Sequence, residues 1–328
     1  MRFFRTILAY QETAALAAAI ELDIFTAIAQ GNHTAETIAA ACQASTRGTR
    51  GLCDALVVLG FLEKRDKKYS LASDAAMFLD RNSRTYIGTA VKFLTLPDLR
   101  KNFDSLADAV RKGGTVAPND GTMAPEHPMW VEFARAMAPL AAMLAESVAA
   151  AVDADKTQPW KVLDIAAGHG MFGIAIAKHN SQAHITGLDW APVLEVAKEN
   201  ARKAGVHDRY KTLPGSAFDV DLGGDYDLVL VPNFIHHFDA QTNEKLFRKV
   251  HAALKPNGKV AVAEFVVNDD RVSPPSAAMF TLVMLAGTPH GDSYTYREIE
   301  GMLRNSGFKS VTAHPTPNLD QQVIVGTK

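Results

Sequence analysis

Only two of the 328 residues are cysteine, Cys42 and Cys53, and neither lies in a CxxC or beside histidine at a metal-ligand spacing. A disulfide scaffold and a cysteine-based zinc site are therefore excluded as organising features. An excess of one charge is missing as well, since 34 Lys plus Arg stand against 36 Asp plus Glu, a formal net charge of -2. No broad basic field is available to hold a nucleic acid or an anionic membrane. Runs of about 18 apolar residues, the length a membrane helix needs, are also lacking. Arg2, Arg5 and the stretch from Ala14 to Ile20 imitate a secretion signal, but Gln11, Glu12, Glu21 and Asp23 interrupt it. Its Leu16, Ala19 and Ile20 recur with Ile24 and Phe25 at helical spacing, which predicts a packed amphipathic helix and a cytoplasmic protein.

What is present is apolar material, 47% of the chain, enough for two domains. Residues 1–95 read as helices and a hairpin. Thr34 caps one helix, and Ser45 or Thr46 starts another that Gly60 stops. Phe61 to Leu71 then forms two short strands around a polar turn at Arg65 to Lys68. Helix, helix and basic-tipped hairpin outline a winged helix. Across residues 1–100, however, 12 Lys plus Arg meet 10 Asp plus Glu, too little charge to read phosphates. A homodimerisation role is expected instead, with the Ala-rich helix from Ala14 to Ile20 as the surface.

Residues 96–128 hold Gly113, Gly114, Pro118, Gly121, Pro125 and Pro128 and are predicted to be an irregular connector. A helix follows from Met129 to about Val152, with Trp130, Phe133 and Met137 on one stripe, so residues 96–152 join connector to pocket-forming helix. Residues 153–328 alternate strands with helices, which predicts a parallel sheet covered on both faces. The strands are Val162–Ala166, His184–Leu188, Tyr210–Leu213, Tyr226–Val231, Lys259–Phe265, Ser310–Ala313 and Gln322–Gly326. Leu254 to Lys259 is read as a sharp helix-to-strand turn.

The first of these strands runs into Gly168-His169-Gly170-Met171-Phe172-Gly173, a GxGxxG before a helix, with Asp189 16 residues further on. Alone, that favours a dinucleotide. Asp164 argues otherwise, because a carboxylate inside a strand buried on both faces is costly and would repel a pyrophosphate. A cationic ligand would gain from it, and S-adenosylmethionine (SAM) carries an ammonium and a sulfonium. Asp164 is also able to cap backbone N–H groups of the following turn.

On these residues the chain resembles the SAM-dependent methyltransferases, and over nearly its whole length the bacterial relatives of the plant-type O-methyltransferases. The resemblance implies an α/β fold, a Rossmann-like class I methyltransferase domain preceded by a mainly helical winged-helix dimerisation domain. It implies that Asp189, in Gly187-Leu188-Asp189-Trp190, binds the ribose of SAM with Trp190 against the adenine. Gly215-Ser216-Ala217-Phe218 stands where the family has Gly-Asp-Met-Phe, so Ser216 or Asp219 takes over the adenine contact and Phe218 forms pocket wall. Asp164, Ala166, Gly168, Gly170, Asp189, Trp190, Ser216, Ala217, Phe218 and Asn233 make up the implied cofactor-binding set.

The family's catalytic His-Asp-Trp appears as His236-His237-Phe238, which carries the general base onto His236 and sets His237 in place of the acid. Imidazole accepts a proton near neutral pH. The orienting glutamate matches Glu264, whereas the family's second one has Ser293 in its place, beside Asp292. His236, His237, Asp239 and His290 are set aside as metal ligands, since adjacent histidines on one loop usually point apart. Trp130, Phe133, Met137, Met279, Phe280, Met284 and His290 are expected at a flat aromatic acceptor. The expected activity is methylation of a hydroxyl on a small aromatic or polyketide-like metabolite. Carbon methylation, tetrapyrrole carbons included, a non-methylating use of SAM, and a SAM-responsive regulator stay open at this level.

Overall fold

The computed structural model describes residues 2–123, 126–154, 158–316 and 321–328, with the side chains of 119 and 123 set aside. Two compact units emerge, Met1–Thr95 and Leu96–Lys328. The first contains α1 (Arg2–Glu21), α2 (Ile24–Ala29), α3 (Ala35–Ala41), α4 (Thr46–Val58), the hairpin β1 (Leu62–Arg65) and β2 (Lys68–Leu71), α5 (Ser73–Phe78) and α6 (Ala90–Leu94). Local chemistry sets these boundaries. The Thr34 hydroxyl accepts the N–H of Thr37 in a reciprocal cap, and Ser45 accepts that of Gly48. Asp66 and Lys67 both take positive φ, the tight two-residue hairpin turn. Ile24, Phe25, Ile38, Leu56 and Tyr69 fill the core, while Phe3, Phe4, Ile7 and Tyr10 of α1 are exposed.

The second unit begins with α7 (Pro97–Asp104), α8 (Leu106–Lys112) and a 3-10 turn at Pro118–Met123, so the region expected to be irregular is largely helical. Its punctuating residues end elements rather than forbid them. Pro97 sits in the first turn of α7, and Gly113 closes α8 in the left-handed conformation. Pro125, another residue of the expected connector, lies outside the described residues.

Then come α9 (Met129–Ala151), β3 (Lys161–Ile165), α10 (Met171–His179), β4 (His184–Asp189), α11 (Ala191–Lys203), β5 (Tyr210–Pro214), β6 (Tyr226–Pro232), α12 (Ala240–Ala253), β7 (Leu254–Glu264), α13 (Pro275–Gly287), α14 (Tyr296–Asn305), β8 (Ser310–Pro315) and β9 (Gln322–Thr327). Helix α9 has the length and hydropathy of a membrane span, but it carries Glu132, Arg135 and Glu146 and packs on α10 and α11.

The seven strands form one sheet in the order β5-β4-β3-β6-β7-β9-β8. Strands β3 to β7 are parallel, whereas β9 runs antiparallel to both neighbours, so the sheet is mixed rather than parallel throughout. The expected turn at Leu254–Lys259 is absorbed into β7, which pairs Leu254 with Tyr226 and then skips to Lys259 opposite Leu228. Alternate residues of β6 bury on opposite faces, Leu228 and Leu230 under α9 and α10, Val229 and Val231 under α12 and α14. Asp164 shares the α10 face with Val162, an anion set into an otherwise apolar layer.

Candidate active site

Strand order reverses between β3 and β6, so the turns after these two strands flank the crevice where doubly wound sheets bind ligands. Both turns open on a non-glycine residue with left-handed backbone, Ala166 at φ 52° and Asn233 at φ 50°. Such strain is retained where the surroundings over-determine it, commonly at sites.

In the turn after β3, the three fingerprint glycines serve different ends. A Cβ on Gly168 would have only Ala166 O at 3.8 Å and Phe133 Cε1 at 4.0 Å, so this position has room for a ligand. A Cβ on Gly170 would lie 2.9 Å from the Tyr210 hydroxyl, and one on Gly173 would lie 2.6 Å from Ile185 Cγ2. These two glycines are spent on packing between helix and sheet. His169, between Gly168 and Gly170, is 4% exposed, and burial pushes its imidazole down to about 4. It is neutral, accepts the Met171 N–H through Nδ1 at 3.2 Å, and stacks on Phe133.

Asp164 is fully buried, and its Oδ2 accepts the Gly173 N–H at 3.0 Å. Its Oδ1 has no hydrogen-bond partner among the described residues. Burial raises the carboxyl to about 8, opposed by the Gly173 bond and reinforced by nearby Asp189. Measured from the ordinary 3.8, that is a penalty on the order of 5 kcal/mol on the charged form. Asp189 closes β4. Its Oδ2 accepts the Gly168 N–H at 2.8 Å and its Oδ1 the Trp190 N–H at 2.7 Å, while burial lifts the carboxyl to about 6. Trp190 packs with Trp130 and Val131 on Ala134, Val193 and Val196, its edge on a groove with Glu132 and Pro192.

Beyond β5, the Ser216 hydroxyl accepts the Phe218 N–H, so it holds its own loop. Asp219 is exposed. Lys249, which sequence reasoning passed over, donates to the carbonyls of Ala217, Phe218 and Val220 and pins this loop from α12. Ala217 is buried, and Phe218 packs edge-on against Phe238 at 4.9 Å. The Asn233 side chain accepts from Gln321, a partner far away in sequence.

The turn after β6 is held on every side. Glu264 at the end of β7 is 1% exposed, and its Oε1 accepts the N–H groups of Phe234 at 2.9 Å and Ile235 at 3.0 Å. Its Oε2 lies 2.6 Å from His236 Nδ1. Because Oε1 is occupied by donors, Oε2 takes the Nδ1–H, and the lone pair stays on Nε2. Asn243 Nδ2 donates to Ile235 O, the Tyr294 hydroxyl to Phe238 O, and the Asp292 N–H to His236 O. Among the described residues no second carboxylate joins the imidazole. Asp292 faces Arg271 at 3.7 Å, and Ser293 is buried with an unpartnered hydroxyl.

The His237 ring stands 4.3 Å from His236 and edge-on to Trp130 at 5.5 Å. Burial, then His236, drives its imidazole well below the usual range, and its Nδ1 has no partner among the described residues. Phe280 meets His236 edge-on at 4.9 Å and stacks on Phe265 at 4.3 Å, and Phe133 meets Trp130 at 5.7 Å. Met137 is half-buried. Of the residues expected at the acceptor together with Phe280, Met279 is 62% exposed and Met284 is 5% exposed. Their turn positions differ by five residues on an apolar helix, so the stripe does not share one face. His290 is exposed, on a segment whose Gly291 packs on the His236 carbonyl. Among the described residues no cluster of three or more His, Cys, Asp or Glu side chains is placed to hold a metal ion.

A switch-point crevice with buried acids in its first two strands, Asp164 and Asp189, is the ligand-binding position of a Rossmann-like α/β domain. Comparison with known proteins places it further. A family model for the O-methyltransferase domain matches residues 103–309, and one for the O-methyltransferase dimerisation domain matches residues 4–81. The chain belongs to the O-methyltransferase family. It is 29% identical over 309 residues to the 3-hydroxy-5-methyl-1-naphthoate 3-O-methyltransferase of Streptomyces sahachiroi, covering 92% of this chain and 87% of that one. A crystal structure from Nostoc punctiforme, provisionally assigned as an O-methyltransferase, is 54% identical with a TM-score of 0.95, covering 99% of this chain and 98% of its own. Human N-acetylserotonin methyltransferase, solved with SAM, shares the fold at a TM-score of 0.85 and 22% identity, covering 99% and 96%.

Proposed function

We propose that this O-methyltransferase takes its methyl group from SAM and delivers it to a hydroxyl of a small aromatic or polyketide-like metabolite, with His236 as general base. The pairing of His236 with Glu264 carries this reading. The donor set also suits SAM: a buried carboxylate with a free oxygen calls for a cation, and a turn open at Gly168 admits a ligand against the backbone. SAM supplies a sulfonium-bound methyl that passes in line to an attacking oxygen.

Asp164 compensates the ammonium, and Asp189 accepts from the ribose hydroxyls with the lone pairs its backbone bonds leave free. Phe218 and the Gly215–Ala217 backbone line the adenine side. Trp130, Phe133 and Phe280 flank the acceptor and keep water from it. His236 Nε2 takes the proton of the acceptor hydroxyl, and Glu264 stabilises the imidazolium so formed while holding the ring in place. His237, neutral beside it, offers a hydrogen bond to the acceptor rather than a charge. The match to the dimerisation domain supports a homodimer formed through the first unit.

The test pairs isotopically labelled SAM with a pool of phenols and hydroxynaphthoates, read by mass spectrometry, and repeats the turnover with His236→Ala. Turnover with the acceptor found should fall about 10²-fold or more while SAM affinity holds. An unchanged rate removes His236 from the mechanism.

A further inference from the structure

Tyr210 opens β5, two strands away from β3, and its side chain reaches beneath the glycine turn. A Cβ on Gly187 of β4 would stand 2.6 Å from its hydroxyl, and one on Gly170 2.9 Å. The phenol therefore occupies a notch that exists because two neighbouring positions lack side chains. Gly173 shows what lies next to it: a Cβ there would meet Asp164 Oδ2 at 3.1 Å and Tyr210 Cε2 at 3.4 Å. Tyr210 is 7% exposed, and its hydroxyl, like Asp164 Oδ1, has no hydrogen-bond partner among the described residues. A buried phenol and a buried carboxylate that both border Gly173, each with an unmatched polar atom, are uncommon in folded proteins, and phenylalanine would fill the same notch without the loss.

We propose that Tyr210 is a positioning residue for Asp164, its hydroxyl supplying, through a shared buried water, the hydrogen bond that Oδ1 lacks, and so aiming an ionised carboxylate at the cofactor's ammonium. The inference rests on the reading of Asp164 given above. The phenol is suited to the part because burial, with Asp164 and Asp189 nearby, keeps it protonated and therefore a donor. A donor on Oδ1 adds to the Gly173 N–H on Oδ2, and both favour the charged carboxylate. A water in that place has Asp164, Tyr210 and an incoming ammonium as partners, the number that buried waters ordinarily keep.

Calorimetry on the full chain tests this with Tyr210→Phe and Asp164→Asn, titrating SAM and 5′-methylthioadenosine, which has no amino-acid portion, between pH 6.5 and 8.5. Tyr210→Phe should weaken SAM about tenfold near pH 7, move the pH dependence of SAM binding upward, and leave methylthioadenosine unaffected. Unchanged SAM affinity and pH profile, or an equal loss for both ligands, overturns the proposal and makes the phenol a packing residue. Asp164→Asn should cost more SAM affinity than Tyr210→Phe and flatten the pH profile. If only Tyr210→Phe is silent, Asp164 keeps its role and this proposal alone fails. If Asp164→Asn also binds SAM normally, the reading of Asp164 fails with it.

Discussion

Asp164 stands one residue before the end of β3 and Glu264 ends β7, and both carboxylates are almost entirely buried, yet the fold treats them oppositely. Glu264 is saturated by two backbone N–H groups and an imidazole. Asp164 receives one backbone N–H and is left with a bare oxygen. A carboxylate whose bonds are all made inside the chain holds its neighbours still, which is what a general base needs behind it. One whose bonds are partly unmade favours a cation arriving from outside. On the proposed reading, the two turns at the switch point divide the work between a preorganised proton acceptor and an anionic seat.

The most severe way to break this comparison is Glu264→Ala, which leaves the N–H groups of Phe234 and Ile235 and the ring of His236 without an acceptor. Stability should fall by about 3–5 kcal/mol in urea titration, with turnover lost. A variant as stable as the parent would mean that the turn holds itself.

A smaller effect comes from pH, read as the melting temperature of the ligand-free protein. Asp164 is raised from 3.8 to about 8, so the folded state binds its proton more tightly than the unfolded chain, and stability is lost as pH climbs between those values. Asp189, raised to about 6, acts in the same direction, while His169, lowered to about 4, makes stability fall as pH drops below 6.5. Comparing Asp164→Asn with the parent isolates the first contribution: the variant should gain several degrees relative to the parent between pH 6 and 8. Parallel curves would show that Asp164 is already paired.

The mildest change sharpens the contrast between the two left-handed entries to these turns. Asparagine tolerates positive φ and alanine does not. Ala166→Gly should therefore add about 0.5–1 kcal/mol by relieving backbone strain, and Asn233→Gly should add nothing comparable. Equal gains would show that strain is not what distinguishes them.

Much of this was legible beforehand. The strands showed as apolar runs of the right length between turn signals: six of the seven in the main sheet lie within two residues of their expected places, and β7 starts five residues early, through the stretch expected to be a turn. The resemblance to a methyltransferase family rested on the two-domain architecture and on the motifs at Asp164, Asp189, Gly215 and His236 in order along the chain. The short helices α7 and α8 were hidden because their prolines and glycines also suit a loop, and they pack on α13, far away in sequence. The antiparallel β9 was hidden because a strand's local pattern does not state its direction. Tyr210, Lys249 and Asn243 carry no motif; their meaning comes from the glycines, carbonyls and turn they meet.

The order of residues alone determined which segments became strands and helices, and which acids and histidines could do chemistry, because propensity, periodicity and charge are local properties. Only the folded chain decided that Glu264 would be satisfied and Asp164 left waiting. Hydrogen-bond saturation and desolvation depend on what other segments bring to within about 3 Å, and no spacing along the chain encodes that distance.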